Sequence, residues 1–133
     1  MKNLFFYSLV LYAISNLTLA SEETNAKQLY EGCKKYSSWI DRDFTEPVDA
    51  KTLFIMGKCK GVIETLGKTM YTLCLERRRN LNIPKLITAD LGNMRTRKLI
   101  KEFVMNAEQY TELASISAYT FLLHTFSKRW PCN

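Results

Sequence analysis

The sequence holds one histidine, His124, and four cysteines, Cys33, Cys59, Cys74 and Cys132. Between successive cysteines stand 25, 14 and 57 residues, so no close pair of thiolates exists and a zinc centre is not expected. There is no glycine-rich phosphate loop, no H-E-x-x-H and no G-x-S-x-G. Glu64 and Glu76 are twelve positions apart in different surroundings, which does not make a carboxylate pair. His124 falls on the most apolar stretch of the chain, where a histidine in the core or at its boundary is the ordinary case. An enzyme is therefore not expected, and no cofactor or metal is called for. Alternating apolar and polar runs of strand length are missing as well, as are repeats and low-complexity tracts.

One apolar run is present, from Leu4 to Ile14, and it is too short to cross a bilayer comfortably. Lys2 precedes it and Thr18-Leu19-Ala20 follows it, so positive, apolar and small residues stand in the order of a secretory signal peptide. Residues 1–20 are read as that leader, in preference to a buried helix or a retained anchor. Residues 21–133 then form one domain, placed in the periplasm or secreted, with no membrane span after cleavage. An even number of cysteines in an exported chain reads as two disulfides. The formal charge of +6 favours encounters with acidic surfaces without choosing among them.

Periodicity predicts an all-α fold, a small disulfide-stapled bundle of four to five helices. Leu29, Cys33, Tyr36 and Ile40 make one inward stripe of a first helix, which Asp41 to Pro47 breaks. Asp49 is suited to cap a second helix from Ala50 to about Leu73. Within it Gly57 and Gly61 each cost about 1 kcal/mol of helix propensity against alanine. Close approach of a neighbouring helix is the expected compensation. Pro84 to Leu91 reads as one or two helical turns, Leu99 to Val104 as the apolar face of another helix, and Glu108 to Ser127 as a last, deeply buried one. Antiparallel neighbours would set Cys33 beside Cys59. The ends of the second and last helices would bring Cys74 to Cys132. A bond between Cys59 and Cys74 is disfavoured if one helix carries both, since fifteen residues span about 22 Å.

Arg77, Arg78 and Arg79, with Arg95 and Arg97, mark the segment from Cys74 to Arg97 as a candidate partner-binding surface. Export argues against nucleic acid as that partner. Tyr71 and Trp130 interrupt the apolar stripes and are candidates for an interface.

The leader, the first helix with Cys33, the stretch Gly57-Lys58-Cys59-Lys60-Gly61-Val62-Ile63, Cys74 after it and the closing Trp130-Pro131-Cys132 together resemble the Rap/Tai family of immunity proteins. The resemblance covers nearly the whole of residues 21–133. It departs from the family pattern at Thr65, where another glycine is usual, and at Glu76-Arg77 and Ala107, near which prolines are common. What it implies is a small helical protein, often a homodimer, that binds a type VI secretion cell-wall amidase toxin in the periplasm and blocks it without chemistry of its own. The alternative expectation is a secreted helical binding module, or an exported effector, with another partner.

Overall fold

The computed structural model describes residues 24–80 and 82–133, so the leader read at residues 1–20 lies outside the described residues. Among the described residues four α-helices make up the framework: α1 Ala26–Asp41, α2 Ala50–Arg79, α3 Thr96–Ala107 and α4 Ala118–Arg129. Two short 3-10 turns, Lys85–Ile87 and Leu113–Ser115, stand before α3 and α4. The fold is a small all-α, disulfide-stapled bundle with no strand among the described residues.

Local chemistry sets the starts of the first two helices. Asn25 caps α1 by accepting the Gln28 amide proton at 2.9 Å, and Asp49 caps α2 by accepting that of Thr52 at 3.0 Å. The α2 helix outruns its expected end at Leu73 and carries Cys74 and all three consecutive arginines. Cations in the last turn face the unpaired carbonyls of the helix terminus, a favourable place for them. The stretch Glu76 to Arg79, beyond the end expected from sequence, is thus helix.

Two other expectations are corrected. Pro84 to Leu91 forms only the single turn Lys85–Ile87, because the backbone beyond it bonds elsewhere. The Ala89 N–H donates to the Met70 carbonyl at 3.3 Å and the Asp90 N–H to the Trp130 carbonyl at 2.9 Å. The last helix begins at Ala118 rather than Glu108. Here the Ala26 N–H donates to the Ile116 carbonyl at 2.8 Å and the Ala118 N–H to the Thr24 carbonyl at 3.0 Å, an isolated antiparallel bridge that ties the starts of α1 and α4 together.

The core is one cluster to which every helix contributes: Leu29 and Cys33 from α1, Ile63 and Met70 from α2, Ile100 and Phe103 from α3, Leu122 and Phe126 from α4. Phe121 joins α4 to the rest through edge contacts with Phe103 and Tyr110, at centroid distances of 5.7 and 5.1 Å. Such pairs add about 0.5–1.5 kcal/mol each beyond area burial. His124 lies on the exposed side of α4, outside the core where its apolar neighbours had placed it.

Close helix approach occurs at glycines other than those expected. A Cβ placed on Gly32 would lie 2.8 Å from both the Cγ2 and the carbonyl oxygen of Ile55, so α1 and α2 touch there. Gly67 similarly meets Leu99 of α3 at 3.0 Å. Around Gly57 and Gly61 a Cβ would find nothing within 4 Å; both face outward and pack against no helix among the described residues. The period of four that links them places them on the solvent side of α2, opposite Cys59 and Ile63.

Cys33 is bonded to Cys59 and Cys74 to Cys132, leaving no free cysteine. Both bridges end on α2. The first clamps α1 against it, and the second holds the chain terminus beyond α4 against its last two turns.

Candidate partner-binding surfaces

The five arginines singled out by sequence do not form one patch. Arg78 donates through Nη2 to the Asp90 carboxylate at 2.7 Å and through Nε to the Asn133 carbonyl at 3.2 Å. Arg77 donates to the Ile83 carbonyl, and Arg79 sits 3.4 Å from Glu76. Arg77 and Arg78 fasten the segment after α2, and the residue Asn133, to the end of that helix, whereas the Arg79 pair stays within the helix. Arg97 belongs to another place: with Lys101 it holds Asp41, at 2.9 and 2.8 Å, and so ties the start of α3 to the end of α1. Arg95 is exposed just before α3. Within the expected contact segment Thr88, Ala89 and Leu91 are buried, while Pro84, Lys85 and Leu86 are exposed. Tyr71 packs against Gly92, and Trp130 leans on Phe126 at 5.8 Å with Arg129 over its ring at 6.0 Å; both aromatics are half-buried in the fold.

Surface carboxylates are held in their charged form by neighbouring donors. Lys60 and Lys68, one turn either side of Glu64 on α2, bond it at 2.8 Å each and lower its pKa from 4.5 to about 2. Asp41 is lowered by its hydrogen bonds from Lys101 and Arg97, Glu108 by those from Lys34 and Tyr30, and Asp49 by the hydroxyl and amide of Thr52. All four lie at the surface, Glu64 half-buried there, so these are local arrangements that salt will screen.

What the sequence reading passed over is the corner between α1 and α2. Asp43 and Phe44 both have left-handed backbone, with φ of 52° and 60°, and neither is glycine. The Phe44 N–H donates to the Trp39 carbonyl at 3.1 Å and the Asp43 N–H to the Ile40 carbonyl at 3.0 Å, the paired bonds of a Schellman ending. Phe44 meets Trp39 edge-on at 4.7 Å, the apolar contact that accompanies such endings. The Trp39 indole N–H donates to the Glu46 carbonyl at 3.1 Å, and Arg42 pairs with the Glu46 carboxylate. Beside this corner opens a surface cavity of about 490 Å³ whose apolar lining is Trp39, Pro47, Val48 and Met56. Lys34, Lys35 and Arg42 stand around it. An apolar pair spaced as Trp39 and Phe44 are, across a helix end, was the signal available in the sequence.

Among the described residues no group of histidine, cysteine and carboxylate side chains is arranged to hold a metal, and no helix is long and apolar enough to cross a membrane. The chain matches no family model, no curated protein and no solved structure in comparisons with known proteins.

Proposed function

We propose that this protein is a periplasmic antidote of the Rap/Tai type: it binds a type VI secretion peptidoglycan amidase with defined stoichiometry and holds it inactive, without catalysis of its own. The observation that carries this reading is the placement of the disulfides. Both end on α2, at Cys59 and Cys74, and they fall in the order of elements through which the sequence resembles that family. A body fixed in this way loses little conformational freedom when it docks, which favours tight binding at modest interface area. The chain's surplus of positive charge suits it to an acidic partner surface.

The test is to mix the purified, oxidised protein with a panel of type VI cell-wall amidases and to follow peptidoglycan cleavage together with complex formation. Stoichiometric inhibition by a tight complex is the expected result. Failure to bind any member of a broad panel would overturn the reading and leave a stapled helical binding module with another partner.

A further inference from the structure

We infer that the α1–α2 corner, with Phe44 as its anchor, is the surface that engages the amidase, in place of the arginine end of α2. This rests on the antidote reading for the identity of the partner. Three of the five arginines already serve the fold: Arg77 and Arg78 hold the segment after α2 and the terminus, and Arg97 holds Asp41. The corner is built differently. Left-handed backbone is disfavoured at any residue with a Cβ and is a true outlier at a bulky one. A Schellman ending requires it once, at Asp43, and a glycine there would meet the need without strain. Phe44 adopts it a second time, at φ 60°, while leaving 55% of its surface in water. Strain and exposure of a large aromatic together make this residue a poor choice for stability alone, and strained backbone of this kind concentrates where a side chain must be presented to a partner.

The presentation is rigid. Trp39 braces the Phe44 ring from one side and is itself fixed by its bond to the Glu46 carbonyl, and Arg42 pairs with the Glu46 side chain. Trp39, which touches the ring, also lines the cavity together with Met56, so the corner offers a knob and a socket that share one residue. Charge defines what complements them. Of the charged groups round the cavity, Lys34 is paired with Glu108, Arg42 with Glu46, and the Asp49 carboxylate accepts from Thr52, whereas Lys35 is exposed and makes no ion pair among the described residues. The matching surface on the amidase is an apolar pocket for Phe44 with a carboxylate beside it for Lys35. A buried aromatic with a charged neighbour at the rim is the usual composition of an interface hot spot.

The experiment compares wild type, Phe44→Gly, Phe44→Asn, Lys35→Glu and the alanine variant of all five arginines in amidase inhibition, with thermal unfolding measured on each. Glycine and asparagine tolerate left-handed backbone, so at least one of the Phe44 variants keeps the wild-type unfolding midpoint. Either one, folded, is expected to weaken inhibition about 100-fold or more, as loss of a central aromatic anchor does. Lys35→Glu is expected to weaken it about tenfold, with a flatter dependence on salt. The arginine variant is expected to inhibit within about threefold of wild type. A folded Phe44 variant that inhibits as well as wild type overturns the corner and leaves the antidote reading intact. If wild type itself inhibits no amidase, the antidote reading falls and the occupant assigned to the corner falls with it.

Discussion

Replacing the outward glycines of α2 by alanine should make the protein more stable, and replacing Gly32 should do the reverse. At Gly57 and Gly61 a new methyl meets open solvent, so nothing opposes the gain in helix propensity of about 1 kcal/mol per site. The two positions are one turn apart and share no packed neighbour, which makes a joint gain of about 1.5–2 kcal/mol reasonable. For a domain of this size that corresponds to a rise in unfolding midpoint of roughly 6–12 °C. Gly32→Ala brings the same propensity gain but drives a Cβ to 2.8 Å from the Ile55 carbonyl oxygen. Backbone cannot rotate aside as a side chain can, so α1 and α2 must separate. Overpacking of this kind costs about 1–3 kcal/mol, leaving a net loss of about 1 kcal/mol. Urea unfolding followed by circular dichroism, under oxidising conditions, measures both changes on one scale. Gly57→Ala found destabilising, with Gly32→Ala neutral or stabilising, would refute the assignment and return helix packing to Gly57 and Gly61.

Asp43→Gly removes the strain of the α1 ending while keeping its hydrogen bonds, and should stabilise by about 0.5–1 kcal/mol in the same assay; a loss would mean that the Asp43 side chain holds the corner. Acid should weaken the fold. The pKa values of Asp41, Asp49, Glu64 and Glu108 are all lowered by native contacts, so their contribution is complete above the unfolded values of 3.8 and 4.5. It is lost as pH falls through the lowered ones, which for Glu64 is about 2. The unfolding midpoint should therefore drop below about pH 4.5, less steeply in about 0.5 M salt, and a flat profile would show these pairs to be inconsequential. Removing one bridge at a time, as Cys33→Ala with Cys59→Ala or Cys74→Ala with Cys132→Ala, should cost about 3.5 and about 4 kcal/mol, in the order of the loops closed, 26 and 58 residues apart in sequence. Equal or reversed losses in urea would mean that native strain or denatured-state structure outweighs loop entropy.

The elements that proved legible in sequence were those whose signals are local or covalent. Asp49 announces a helix start by its side chain, the stripe Leu29, Cys33, Tyr36 and Ile40 announces the buried face of α1, and the spacing of Cys59 and Cys74 disfavours their pairing on one helix. The misread stretches were decided by partners far away in the chain. Nothing near Pro84 tells that Ala89 and Asp90 will give their amide protons to Met70 and Trp130, and nothing near Glu108 tells that Ile116 and Ser117 will bridge to Asn25. Those backbone bonds replace helical ones, so helical periodicity in these stretches was a true pattern without a helix. Gly57 and Gly61 failed for another reason. A small residue on a helix is compatible with close packing and with open water alike, and only the facing surface decides between them. The arginine segment, finally, looked available because charge runs usually face solvent, whereas a guanidinium has enough donors to gather several chain segments at once, as Arg78 does with Asp90 and Asn133.

The pairing of Cys33 with Cys59 and of Cys74 with Cys132 joins neighbours in sequence, first to second and third to fourth. A chain that passes N-terminus first through any pore therefore offers each cysteine its correct mate as the next one to appear. The first ring can close before Cys74 has emerged, when no wrong partner yet exists. The second must wait until Cys132, 58 positions after Cys74, has emerged. Mispaired isomers need never form, and a catalyst that oxidises thiols in order of arrival suffices without one that reshuffles them.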